Sequence, residues 1–182
     1  MIPEIEIRPI VPADFQDIFR IYSDKEILKL TDSALHQSIE DSKNLINWFY
    51  NGENNKTHIY RGVVLKNDNI IIGVVGLYHI DWKHLFASIS CILDKKYWRK
   101  GIMTKVLKEL IVFSFDDIKL NRLEAQVYEF HEGSVNLFKK LKFSKEALLR
   151  RNFLIDEKFE NSYLFTLLKH EYQENKEFYC EE

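Results

Sequence analysis

Asp94-Lys95-Lys96-Tyr97-Trp98-Arg99-Lys100-Gly101-Ile102-Met103-Thr104 is the stretch on which the reading of this chain turns. A β-branched and aromatic run ends at Leu93, a basic turn follows, and Gly101 opens the strongest helical pattern in the sequence. From Ile102 to about Ile118, the residues Met103, Val106, Leu107, Leu110, Ile111 and Phe115 form one apolar stripe, with Lys105, Lys108 and Glu109 outside it. A strand that turns sharply into a helix leaves unpaired N–H groups at the positive end of the helix dipole, which suits phosphate. Lys95, Lys96, Arg99 and Lys100 add four cations at that entrance. A single glycine before a helix is more often a plain turn, and neither P-loop nor dinucleotide-fold spacing is present.

Working outward, residues 5–10 alternate with period two and predict a strand running into Pro12. Pro12 suits the first turn of a helix carrying Phe15, Ile18, Phe19 and Tyr22. A second helix is predicted from Ser38 to about Tyr50, broken by a loop at Asn51-Gly52-Glu53-Asn54-Asn55. Between them, residues 31–37 are polar and irregular, fitting either a substrate-facing loop or an ordinary connector. Residues 58–66, 70–81 and 86–93 read as a three-stranded meander, joined at Asn67-Asp68-Asn69 and at residues 82–85. Residues 122–128 read as a strand and 132–140 as a helix, followed by strands at 143–150 and 159–169 around the turn Asp156-Glu157-Lys158. The acidic end, residues 173–182, is expected to be loosely held. The element order is that of an α+β fold with one central mixed sheet, occupying a single domain over residues 1–172.

Composition narrows the function classes. Of 182 residues, 46% are apolar and 30% charged, a globular balance. Lys and Arg number 26 against 28 Asp and Glu, so there is no basic excess for nucleic acid. Cys91 and Cys180 are too few for a disulfide scaffold, and His36, His58 and His84 lack metal-ligand spacing, so no metal site is expected. The opening MIPEIEIRPI lacks the layout of a secretory signal, and the apolar run 70–78 falls well short of the ~20 residues that span a bilayer. A cytoplasmic protein without membrane or nucleic-acid partners is the expectation.

Tyr97-Trp98-Arg99-Lys100-Gly101-Ile102-Met103-Thr104, then Leu120-Asn121-Arg122-Leu123-Glu124-Ala125 and residues 134–143, resemble the GNAT N-acetyltransferases. Within them the chain is similar to the branch of ribosomal-protein acetylases (RimJ/RimL type) and spermidine acetyltransferases. Gly76-Leu77-Tyr78-His79-Ile80-Asp81-Trp82, Phe153-Leu154-Ile155 and residues 163–172 fit the same branch. The resemblance covers residues 5–172. It implies a mostly antiparallel twisted sheet with helices on both faces, acetyl-CoA as cofactor, a primary amine as acceptor and a homodimer. It also implies that main-chain N–H groups of Arg99, Lys100, Gly101, Ile102, Met103 and Thr104 cradle the CoA diphosphate. The backbone of Ile92 and Leu93 would run beside pantetheine, and the helix from Glu132, with His131 and Phe138, would flank the cofactor. Several positions depart from the family pattern. Trp98 and Met103 replace a common Gln/Arg and Gly/Ala, His131 a common Asn, Phe138 a proton-donating Tyr, Lys142 a Gly and Ser88 a Glu.

The chemistry can be argued from the reaction itself. Acyl transfer from a thioester needs a neutral amine, yet a lysine-like ammonium titrates near ~10.4 and an N-terminal one near ~8. The oxyanion must be stabilised and the leaving thiolate protonated. Without a suitable cysteine, direct attack in a ternary complex is favoured over a covalent enzyme intermediate. His79 is the candidate base because imidazole titrates near neutrality; the competing reading is a hydrogen-bonded hairpin histidine. Ser134 matches the family position that protonates the thiolate, against the ordinary role of a serine in a helix's first turn. Ser88 would position a water in place of the missing carboxylate, and the Tyr128 phenol is the alternative acid. Since three functional positions are altered, a CoA-binding sensor that has lost its chemistry is the competing function.

Overall fold

The computed structural model describes residues 3–180. Its strands form one seven-stranded, mostly antiparallel sheet in the order β1-β2-β3-β4-β5-β7-β6: β1 (Ile5–Arg8), β2 (Ile59–Leu65), β3 (Ile70–Asp81), β4 (Phe86–Leu93), β5 (Arg122–Tyr128), β6 (Ser144–Ile155) and β7 (Lys158–Leu168). The β4–β5 pair is parallel and joins Phe86, Ala87 and Ser88 to Arg122, Leu123 and Glu124. Within this fold the chain gathers into two compact units: residues up to Tyr78 with Ser90–Leu107, and His79–Ile89 with the remainder from Lys108.

The first unit is built on three helices. Pro12–Asp14 forms a 3-10 turn, followed by α1 (Phe15–Tyr22), α2 (Lys25–Leu28) and α3 (Ile39–Asn54). The short α2 was not foreseen from sequence; Asp24 caps it, accepting the N–H groups of Glu26 and Ile27. Ser38 and Asp41 cap α3 reciprocally. Ile18, Ile21, Tyr22, Ile46 and Phe49 from the helices pack on Val64, Ile71, Val74 and Ile92 from the strands. The loop expected at 51–55 is instead the last turn of α3. Gly52 is there for packing: a Cβ on it would stand 1.8 Å from His58 Nε2. That buried imidazole stacks on Trp48 at 3.6 Å and hydrogen-bonds the Trp48 carbonyl at 2.9 Å.

The second unit contains the end of α4 (Ile102–Val112), a π-type turn at Phe113–Asp117, α5 (Glu132–Lys140), α6 (Lys169–Glu174) and α7 (Lys176–Cys180). The single helix expected to Ile118 thus loosens after Val112, and Ile118 N–H bonds Phe113 O. Strand β6 is longer than the sequence suggested, β7 has the expected length one residue earlier, and the two turn tightly at Asp156 and Glu157, whose φ angles are 48° and 64°. Phe138, Phe143 and Phe165 form an aromatic core. The acidic end is not a loose tail through Cys180. Tyr172 is 1% exposed and stacks on Phe115 at 4.9 Å, while Tyr179 is 3% exposed and donates its hydroxyl to Leu141 O at 2.7 Å. Aromatic side chains dock these helices, a signal hidden in sequence by the surrounding acids.

Candidate active site

In the first unit the basic turn between β4 and α4 is a built loop. Asp94 is buried; its N–H donates to Ile72 O at 2.8 Å, and its Oδ1 accepts Lys96 N–H at 3.0 Å. Lys95–Tyr97 forms a single 3-10 turn, and the Trp98 indole N–H donates to Leu93 O at 2.7 Å. Trp98 is thereby a strut for the loop, which accounts for a bulky aromatic in a position where the family commonly has Gln or Arg. Arg99 and Gly101 both have left-handed backbones, with φ 59° and 79°, on either side of Lys100. Alternation of that kind turns successive N–H groups toward one concavity, an arrangement that takes anions.

The first helical bond of α4 runs from Lys105 N–H to Gly101 O at 3.2 Å. The N–H groups of Ile102, Met103 and Thr104 therefore have no acceptor inside the helix. The Ile102 side chain is fully buried, so it anchors the helix while its main chain faces the loop. All four cations, Lys95, Lys96, Arg99 and Lys100, are exposed. Lys95 is taken by Asp24 at 3.0 Å and Glu26 at 2.9 Å, and the hydrogen bond it donates to Glu26, then that to Asp24, holds its ammonium above the ordinary lysine pKa. The donor set suits a diphosphate: main-chain N–H groups, a helix N-terminus and surrounding positive charge. Ile92 and Leu93 are buried at the end of β4. The Leu93 carbonyl is spent on Trp98, and a Cβ on Gly73 would meet Ile92 O at 2.6 Å, so glycine there allows β3 and β4 to approach. Burial pushes the nearby Cys91 thiol up to about 12, far from a nucleophilic thiolate.

In the second unit, three candidates are chained at the start of α5. His131 N–H donates to Tyr128 O at 3.0 Å, and Ser134 N–H donates to His131 Nδ1 at 3.4 Å. His131 thus caps α5, and its burial lowers the imidazole pKa. Ser134 is half-buried and keeps its hydroxyl on the first turn. The Tyr128 ring is buried, stacked on Phe130 at 5.4 Å and edge-on to Phe153 at 4.8 Å. Phe138 is 3% exposed in the aromatic core.

Ser88 is not grouped with these residues. It pairs with Glu124 in the β4–β5 ladder, four residues before Tyr128 on β5, or about 13 Å along a strand at ~3.3 Å per residue. Sequence reading missed Glu124, a carboxylate beside the position that lost one. Only strand register reveals it, and Arg122 holds it at 2.6 Å while clamping Glu146, whose pKa that guanidinium pulls to about 2. His79 is exposed near the end of β3 with φ 49°, so it breaks the strand's regular pleat. Among the described residues no group of three His, Cys, Asp or Glu side chains is placed to hold a metal ion, and no helix is long and apolar enough to cross a membrane.

The family model for the acetyltransferase (GNAT) domain matches residues 4–144. The chain is 27% identical to the uncharacterized N-acetyltransferase p20 of Bacillus licheniformis, over 92% of this chain and 94% of that protein. It is 21% identical to the spermidine N(1)-acetyltransferase of Escherichia coli K12, over 92% and 88% of the two chains. Among solved structures, spermidine N-acetyltransferase from Vibrio cholerae in complex with CoA and spermine superposes with a TM-score of 0.83 at 18% identity, covering 93% of this chain and 98% of that one. The family model matches most of the chain, and the turn into α4 falls where the family's motif does: this protein belongs to the GNAT acetyltransferases, enzymes that use acetyl-CoA.

Proposed function

We propose that this protein moves an acetyl group from acetyl-CoA to a primary amine by direct attack in a ternary complex. The observation that carries the reading is the loop at 99–104, where two left-handed residues and three N–H groups without helical acceptors converge at a helix N-terminus. Bound acetyl-CoA supplies the activated acyl thioester and a thiolate leaving group. The protein's own part is to hold the diphosphate on the main chain of residues 99–104, to take a proton from the incoming ammonium at His79, and to donate one from the Ser134 hydroxyl. Ser88 would hold a water, and Tyr128 stands as the alternative acid. A ternary mechanism is supported by the raised Cys91 pKa, which leaves the thiol protonated at neutral pH.

The acceptor classes are a polyamine, a protein N-terminus or another small amine. Polyamine selectivity would call for converging carboxylates, and of the cluster Asp32, Glu40 and Asp41, Asp41 accepts the N–H groups of Gln37 and Ser38 at 2.8 Å while Glu40 pairs with Lys43 at 3.4 Å. Release of free CoA thiol across a panel of spermidine, short N-terminal peptides and nucleotide-linked amino sugars tests the reading. Turnover with one class supports it and names the acceptor. Proven CoA binding with no turnover on any amine overturns the enzyme reading in favour of a CoA-responsive module. His79→Ala is expected to depress the acid limb of the rate profile, and an unchanged profile makes His79 structural.

A further inference from the structure

The loop that faces the anion is itself held from behind by ion pairs to α1 and α2. Asp94, its first residue, has a side chain only 7% exposed, so its charge requires a partner. The Arg20 guanidinium of α1 supplies one, bonding Asp94 Oδ2. Arg20 also donates to Ile71 O at 2.6 Å and to Asp17 Oδ1 at 3.2 Å, while Asp17 Oδ2 accepts Ile71 N–H at 2.9 Å. One residue further on, Lys95 reaches Asp24 and Glu26 at the start of α2. Two consecutive loop residues are thereby tied to the helical segment that leads into the polar stretch 31–37.

We propose that Arg20 and Lys95 are positioning residues, which set the 99–104 loop through Asp94 and through the Asp24–Glu26 end of α2 without contacting the anion. This rests on the acetyl-CoA reading above. On that reading alone, Lys95 is one of four cations ready for phosphate, and removing its acidic neighbours would free it to bind more tightly. Here the acidic neighbours are part of the brace, and removing them loosens the loop. The two accounts predict opposite signs.

The test is CoA binding by titration calorimetry to the full chain, beside a denaturant curve for each variant. Asp24→Asn retains a good helix cap and removes only the charge. Combined with Glu26→Gln, it is expected to weaken CoA binding about fivefold. Lys95→Met is expected to weaken it by a similar factor, and the triple variant no further, since all remove one interaction. Arg20→Gln is expected to cost about tenfold, with Arg20→Lys recovering part of the loss through Asp94. Unchanged or tighter binding in the acidic-side variants, additive losses, or wild-type affinity in Arg20→Gln would overturn the proposal. Absence of CoA binding by the wild-type protein strikes the functional reading itself, and is distinguishable because it requires no variant.

Discussion

The loop at 94–104 and the entrance to α5 at 128–138 are both motif positions of the family, yet they are made in different ways. The first works through the main chain: left-handed Arg99 and Gly101, three N–H groups and a helix N-terminus. Its side chains, Trp98, Asp94 and Lys95, are scaffolding. The second depends on side chains, and most of those are committed to structure. His131 is a helix cap, Tyr128 is enclosed by Phe130 and Phe153, and Phe138 is core. A site made of backbone asks its side chains only to hold the main chain in place, as Trp98 does through its indole bond to Leu93 O. A site made of side chains asks more of them, and Phe138 carries no hydroxyl with which to give a proton.

The sharpest break of this contrast is Gly101→Pro. Proline cannot adopt a φ of 79° and removes an N–H from the concavity. CoA should no longer raise the melting temperature of the variant, although it retains its own cooperative unfolding. A retained ligand shift would mean that the loop is not the diphosphate site.

Phe138→Ala should cost about 3–5 kcal/mol of stability as a core truncation, read from urea unfolding. Phe138→Leu should keep most of that stability and bind CoA as the wild type does. A large affinity loss in the leucine variant would place the ring at the cofactor instead of in the core alone.

Ser134→Ala preserves the backbone bond to His131 and deletes only the hydroxyl. If Ser134 is the acid, turnover falls on the order of 10²-fold with CoA affinity unchanged. Equal rates would pass the role to Tyr128 or to water.

The smallest expected effect concerns the α5 cap. His131 has a folded-state pKa below the ordinary value because burial disfavours its charge, and its Nδ1 must stay unprotonated to accept Ser134 N–H. The cap contribution, about 1 kcal/mol, is fully present above the unfolded histidine pKa of ~6.5 and is lost as pH falls through the lowered folded value. His131→Asn, a cap without a titration, should flatten the stability profile between pH 7 and 5. An unaltered profile would show that His131 does not titrate on unfolding.

The fold was largely legible because its elements obey short-range rules. The alternation at 5–10, the β-branched and aromatic run at 70–81, the stripe from Ile102 and the Pro12 start are local patterns, and the observed β1, β3, α4 and first helical turn follow them. The misreadings came where a residue serves a distant partner. Gly52 reads as a helix breaker until His58 is seen against it, and the acidic end reads as loose until Tyr172 and Tyr179 are seen docked on Phe115 and Leu141. Lys142, where the family commonly has Gly, holds a φ of 63° just past the end of α5, so the left-handed helix stop survives with a lysine in it.

By itself the sequence determined the order of elements, the position of the basic turn into α4 and the family, because each is written in spacing along the chain. Tertiary structure alone decided that Asp94 is held by Arg20, 74 positions away, that Lys95 faces α2, and that Glu124 lies beside Ser88. Those pairings depend on strand register and helix packing, which bring together groups with no periodic relation in the sequence, and a charge shows its partner only once the backbone has been folded around it.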